Sequence, residues 1–515
     1  MMLSLLISVF IAQNDTLTVL QKSAARESVV AKAATVEGSA ASYLMEPLKA
    51  YTSIAAAWNG RREESPAKME EGDSMDEGQL NISTLVRPTC NSAVRGSINY
   101  ARGLKRNVIW NTSSDYDIVY PYTLADTVGG NLNHEKYQFS GGYSALKGNF
   151  LWGLEGAYRA FHEYRDVDPR PRNIVSDLNV RGTAGLLIGG RVLEGSLSYR
   201  RYSQSQNVTF VSERGRNTSV FHLTGLGDYN WRFSGASDAY LTTRYSGNGV
   251  GFQLATYPKA VQGWRADASY TLLNMAHYLP NQNEALYTQA LTREIRLNAG
   301  YIGRRFTAGA HAAYQWREGI ESVLDNGKAG RFLELTKLPL FGSSELSAGA
   351  DAAWQLKNWS VSGSAEWSSQ SATGAYPERE MTLSAIDVKL GGQYLYEGSK
   401  WNFLAGAEIQ RHQPLGGTYC HSEAGYCHSE ADYCHSEAGY CHSEAEGREN
   451  PFSAEYESAR FQRLCQGDWR GSIRFGAERA VNASVSIFAN LCGQFIILQD
   501  GKKAAFYNIS IGCHF

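Results

Sequence analysis

The chain has 515 residues, with 49 Lys and Arg against 51 Asp and Glu for a formal net charge of −2. That balance excludes a nucleic-acid partner, which needs a basic footprint for its phosphates. A mean hydropathy of −0.36, with no long apolar run after the N-terminus, excludes membrane-spanning helices, which need about 20 consecutive apolar residues.

Residues 1–13 begin Met-Met-Leu-Ser-Leu-Leu-Ile-Ser-Val-Phe-Ile-Ala and resemble a secretory signal peptide, although the usual early Lys or Arg is missing. A buried N-terminal strand or helix is the other reading of this run. Residues 14–50 are rich in Ala, Ser and Val without alternation, and are expected to form a periplasmic or plug segment. From Tyr51 the pattern changes. Apolar and polar residues alternate, as in strands with one greasy and one wet face. The acidic stretch Glu63 to Glu77 is expected as a solvated loop.

Runs of about ten alternating residues then recur down the chain. Phe306, Ala308, Ala310, Ala312 and Tyr314 oppose Thr307, Gly309, His311 and Gln315. Trp359, Val361, Ala365 and Trp367 oppose Ser360, Ser362, Ser364 and Glu366, and Trp469 to Ala477 and Val481 to Leu491 repeat the pattern. Tight connections are expected at 146–149, 189–191, 302–304, 356–358, 397–400 and 478–480, and long ones at 103–134, 161–176, 203–218, 274–291, 317–342, 370–382 and 412–467. Short turns on one side and long loops on the other predict an all-β fold for 51–515. It is a transmembrane antiparallel β-barrel of about 14–20 strands, with periplasmic turns and extracellular loops. Abundant Gly (51) and Tyr (30) suit tight turns and interfacial aromatic belts. The chain ends on an apolar, aromatic strand with Tyr507 and Phe515 in phase. It looks like the C-terminal strand of bacterial outer-membrane barrels, which implies outer-membrane lipid and the barrel-assembly machinery as partners and these two residues as an assembly signal.

Between 114 and 173 lie Ser114-Asp115-Tyr116, Tyr120-Pro121-Tyr122, Asp126, Gly129-Gly130, Phe139-Ser140-Gly141-Gly142-Tyr143, Tyr158-Arg159 and Glu163-Tyr164-Arg165. The block resembles an uncharacterised Bacteroidota-type outer-membrane β-barrel family, known only as a domain of unknown function. The resemblance implies a barrel in the cell outer membrane and no assigned activity. Arg165, Asp168, Arg170 and Arg172 follow, with Pro169 and Pro171 stiffening the backbone. They are candidate ligand-binding residues, a basic ledge for anionic groups. The competing reading is a loop held by internal Asp–Arg pairs.

Residues 419–445 repeat Tyr-Cys-His-Ser-Glu-Ala four times. Cys420, His421, Cys427, His428, Cys434, His435, Cys441 and His442 are soft-metal candidates, yet the close Cys pairs of structural zinc sites are missing. The favoured reading is a dispensable extracellular loop that stays disordered. No nucleophile, zinc-protease or P-loop motif is present, so neither an enzyme nor a cofactor is expected. The leading expectation is a channel or transporter for small solutes. A plugged surface-binding or structural barrel is the alternative, and a barrel hydrolase a third.

Overall fold

The computed structural model describes Leu44 and residues 50–211, 220–235, 240–259, 262–325, 332–376, 378–421, 426–430, 439–440 and 454–515. The expected signal peptide lies outside them. In chain order the strands are β1 (Ala50–Glu63), β2 (Ser74–Thr89), β3 (Ser92–Val108), β4 (Leu124–Asp126), β5 (Gly130–Lys147), β6 (Phe150–Tyr164), β7 (Arg170–Ile188) and β8 (Arg191–Thr209). Then come β9 (Val220–Gly225), β10 (Asp228–Gly235), β11 (Thr242–Pro258), β12 (Gly263–Leu279), β13 (Ala285–Ile302), β14 (Phe306–Leu324), β15 (Glu334–Leu356) and β16 (Trp359–Ala375). The last are β17 (Glu378–Glu397), β18 (Trp401–His421), β19 (Tyr426–Glu430), β20 (Gly439–Tyr440), β21 (Asp468–Ala480), β22 (Ser486–Leu498) and β23 (Lys503–His514). Two helices, α1 (Tyr116–Val119) and α2 (Ala454–Leu464), sit in connections.

Eighteen of these strands pair antiparallel with their neighbours into one closed barrel. Closure is made by β1 and β23, from Ser53 opposite His514 to Glu63 opposite Ala504. A closed sheet leaves no unpaired edge, the condition for strands to cross lipid. Leu80, Ile98, Phe139, Leu197, Phe252 and Ile511 are exposed on the outer face, while Glu77, Gln204 and Asp387 on intervening positions turn inward. The sequence alternation therefore maps onto lipid and lumen, with His311 inward as its phase requires.

Two-residue turns at 90–91, 148–149, 189–190 and 357–358 mark one end of the barrel, together with the start of β1 and Phe515. The other end carries the long connections, but several are shorter than expected. The 161–176 loop contracts to 165–169, 274–291 to 280–284, and 370–382 to 376–377. These strands continue beyond the height of a bilayer, where outward side chains no longer need to be apolar. Two other expectations are corrected. Val481 to Val485 is a turn closed by the Val481 N–H to Val485 carbonyl bond, and the strand begins at Ser486. The acidic stretch is not a solvated loop throughout, since Glu70 and Glu77 are buried.

β18 runs through His421, so the first repeat copy starts in the wall, and Cys420 lies opposite Cys427 in the β18–β19 pairing. Tyr419 is buried and stacks on Phe461 of α2, 5.9 Å between ring centres. The repeat's first tyrosine therefore belongs to the packed structure, where the whole repeat was expected as a disordered loop. At the short-turn end, inward Leu85, Leu151, Val192 and Tyr257 form an apolar floor with Leu44 seated against it.

Candidate functional site: a closure across the lumen

The connection from β3 to β5 carries Asn111-Thr112-Ser113-Ser114, all buried. Four small polar residues in a row cannot be buried among apolar groups without hydrogen bonds. The inward faces of the wall supply them. Thr112 Oγ1 accepts from Gln206 Nε2 at 2.8 Å and its carbonyl from Asn173 Nδ2 at 2.8 Å. Ser113 Oγ donates to Gln206 Oε1 at 3.0 Å, and Ser114 Oγ donates to Glu163 Oε2 at 2.6 Å. Lys105 reaches the other oxygen of Glu163 at 3.1 Å and Glu71 at 2.6 Å.

Asp115, in the left-handed conformation at φ 51°, aims its carboxylate at the wall. Arg159 grips it with both terminal nitrogens, at 2.8 and 2.6 Å, and the Tyr202 hydroxyl donates at 3.0 Å. Arg159 also meets Asp177 at 3.2 Å, and Arg200 holds Asp177 at 2.9 and 2.8 Å. Two aspartates and two arginines form a neutral chain from the inner segment to β8. From there α1 crosses the lumen. On the far wall Arg317 donates to the carbonyls of Tyr120 at 2.7 Å and Asp117 at 3.0 Å, and the Tyr120 ring meets Phe341 of β15 edge-on.

A second segment enters from the β8–β11 connection. Strand β9 pairs with β10 and with β4, making a small three-stranded sheet in the barrel mouth. The hairpin tip needs Gly225 and Gly227, which sit at φ 89° and 77°. It ends against Arg379 of β17, which donates to the Gly225 carbonyl at 2.8 Å and pairs with Asp228 at 3.0 Å. Helix α2 completes the closure. Arg460 pairs with Glu70 at 3.1 Å, and the Tyr116 hydroxyl donates to the same carboxylate at 2.9 Å.

The hairpin carries a titratable group in a dry setting. His222 of β9 is buried, donates from Nε2 to the Tyr240 carbonyl at 3.0 Å, and stacks 5.8 Å from His277. Burial lowers its pKa to about 4 from the usual value near 6.5. A base whose docked pKa is depressed holds stability above its free pKa and loses it as pH falls. The docked hairpin should therefore lose up to about 3 kcal/mol between pH 6.5 and 4. Limited proteolysis of the hairpin, slow at pH 7.5 and faster toward pH 4.5, checks this. A His222→Gln variant should flatten the profile, and an unchanged profile in that variant would refute the assignment.

Below the closure the lumen opens. A cavity of about 450 Å³ is lined by Asn179, Arg181, Ser198, Arg200, Asp267 and Asn298, and an adjoining one of about 410 Å³ by Arg296, His311, Gln315, Glu345 and Ser347. Arg95, Arg159, Arg181 and Arg200 gather on β3–β8, tempered by Glu155 and Asp177. Inward Glu345, Asp351 and Glu366 lie on β15 and β16, on the far side of the ring, among serines at 347, 362, 364 and 368. His311 stands 3.9 Å from Glu366.

The four residues singled out at 165–172 do not share one surface. Arg165 is buried and pairs with Asp126 at 3.1 Å. Arg170 pairs with Asp168 at 2.7 Å, and Asp168 also accepts from the Val211 N–H. Arg172 is exposed, with His162 3.3 Å from its Nε. Of the metal candidates, Cys420 is half-buried in β18, while Cys434, His435, Cys441 and His442 lie outside the described residues. Among the described residues no group of three potential ligands converges. Tyr507 donates to Asp76 at 3.1 Å, and the Phe515 backbone pairs with Thr52 at the closing seam. The sequence reading had Asp115 and Arg159 in its distinctive block but gave them no role, and it missed Tyr202, Arg317 and Arg379. Its one available signal was the polar run 111–114, too polar for a spanning strand and flanked by aromatics.

The molecule is a membrane-type β-barrel closed at its long-loop end by its own connections. The chain belongs to a family of unknown function, DUF6850, whose model matches residues 40–515. No curated protein matches it. Among solved structures it is similar to the siderophore receptor PirA from Pseudomonas aeruginosa, at 8% identity over 91% of this chain and 80% of that one, with a TM-score of 0.37. The ferric citrate transporter FecA gives 10% identity, 90% and 78% coverage and 0.37. The copper transporter OprC gives 7%, 90% and 81%, and 0.40. At these values the likeness is to the barrel architecture alone.

Proposed function

We propose that the protein is an outer-membrane channel for small polar solutes, closed at its extracellular end by the segment 109–129, the β9–β10 hairpin and α2. The observation that carries this reading is the contrast along one lumen. Above, the segments are held by hydrogen bonds and ion pairs; below lie polar cavities between walls of unlike charge. A barrel serving only as a scaffold has no need of that space. Unlike walls set a field across the path and favour solutes carrying both signs or many hydroxyls. The polar part of these contacts can be exchanged for water, while apolar packing of Val119, Tyr122, Leu226 and Phe233 against the wall keeps the closure shut at rest, a combination that suits a gate.

Export by the N-terminal segment, insertion through the assembly machinery and an assembly role for Tyr507 and Phe515 belong to the same proposal. The plugged surface barrel is favoured by the number of interlocked segments. Planar-bilayer recording separates the two. A gated channel should be silent for most of the record with discrete openings, and the folded barrel should migrate faster on gels before boiling than after. A folded protein that never conducts, even with 109–129 excised, would leave the plugged-barrel reading standing.

A further inference from the structure

The outer face of β1 reads Ile54, Ala56, Trp58, Gly60, Arg62 from the short-turn end upward, and that of β3 reads Ile98, Tyr100, Arg102, Leu104, Arg106. Trp58, Leu80 and Ile98 are 50, 42 and 44% exposed, so they face lipid. Arg102 stands one outward position above Tyr100 and Arg62 two above Trp58, at headgroup level in the leaflet nearer the long loops, since aromatics mark the interface. The side chains of Arg62 and Arg102 are 47 and 67% exposed.

Asp76 holds two of them: Arg62 at 2.7 Å and Arg106 at 2.6 Å, with Tyr507 donating to it as well. Arg102 has Glu135 at 3.4 Å. Three guanidinium groups against two carboxylates leave one positive charge on a lipid-facing wall. Beside them is a hollow of about 690 Å³ with Trp58, Leu80, Tyr100 and Leu104 as apolar lining and Asp76, Arg102, Arg106 and Asn133 as polar lining. Of the other outward arginines, Arg170 has Asp168 beside it, Arg293 lies over Trp316 with Glu318 nearby, and Arg411 lies over Trp469 and donates to Gln413.

We infer that this hollow binds the phosphorylated headgroup of an outer-leaflet lipid. The phosphate oxygens lie between Arg102 and Arg106, and the acyl chains run down over Trp58, Leu80 and Tyr100. Guanidinium forks match phosphate oxygens bidentately, and a headgroup supplies the missing negative charge. The inference rests on the barrel's place in a membrane, not on the channel, so a barrel that fails to conduct leaves it intact.

Native mass spectrometry of the intact barrel in detergent tests it, with bisphosphorylated lipid A, its dephosphorylated form and inorganic phosphate as probes at one concentration. The barrel should retain a single bisphosphorylated lipid about tenfold better than the dephosphorylated one, and retain no phosphate. Arg102→Gln with Arg106→Gln should erase that preference, and Arg293→Gln with Arg411→Gln should keep it. Heat-modifiable migration verifies folding; if the first pair does not fold, Arg102→Lys with Arg106→Gln replaces it with the same expected loss. Equal retention of both lipids, an unaffected Arg102/Arg106 variant, or binding of phosphate alone would each overturn the inference.

Discussion

Replacing Asp115 by Ala should open the proposed channel. In the closed state Asp115, Arg159, Asp177 and Arg200 carry two charges of each sign, with side chains only 12–31% exposed. Removing one carboxylate leaves a net positive charge in that setting, and breaking such a pair costs about 3–5 kcal/mol when fully buried. Partial exposure reduces this to about 2–3 kcal/mol, which shifts a two-state gate by roughly 30- to 150-fold. Open probability in bilayer recordings should rise by that order. The double variant Asp115→Ala, Arg159→Met removes one charge of each sign and restores neutrality, so it should open less than the single variant. That inversion is the informative result, because simple loss of contacts predicts the opposite order. A double variant more open than the single one would sink the ion-pair account of the closure.

The wall of this protein was legible in its sequence because lipid imposes one requirement on every spanning strand. Outward residues such as Trp359, Val361 and Trp367 must be apolar, and lumenal ones such as Ser360, Ser362 and Glu366 need not be. Where lipid ends, so does that requirement. Arg170, Asn173 and Ser176 continue β7 with polar side chains and no apolar alternation, which is why 161–176 reads as loop. The closure was illegible for a different reason. Asp115 finds its partners 44 and 87 residues away, and Arg317 finds the Tyr120 carbonyl 197 residues away. No local period encodes such contacts. The charged stretch 163–172 drew attention as a motif, but its residues point to several partners. Glu163 serves Ser114, and Arg165 serves Asp126. The distinctive block from 114 to 173 is the inner segment together with part of the wall that receives it.

The hairpin should be the part of the closure most sensitive to a single change, at Arg379. Its side chain is fully buried, and it joins the hairpin tip to β17 through the Gly225 carbonyl, Thr224 Oγ1 at 3.2 Å and Asp228. A methionine has similar length but neither charge nor donors. It would leave the Asp228 carboxylate, 14% exposed, and a carbonyl facing an apolar side chain. Truncating one member of a buried, hydrogen-bonded pair costs about 3–5 kcal/mol, enough to free the hairpin tip even though Arg232 still donates to the Leu324 and Asp325 carbonyls and β9 still pairs with β4. Lysine keeps the charge but cannot reach the Gly225 carbonyl and Asp228 with a rigid fork, so Arg379→Lys should fall between wild type and Arg379→Met. The barrel wall closes through β1 and β23, four strands on from β17, and its heat-modifiable migration should not change. Limited proteolysis provides the readout. Cleavage between Val220 and Gly235 should quicken by about a hundredfold in Arg379→Met, because cutting tracks the undocked population when docking is fast. Uniform cleavage across wild type, Lys and Met variants would show that the hairpin is held by its aromatic contacts with Tyr287 and His277, and that Arg379 is not its anchor.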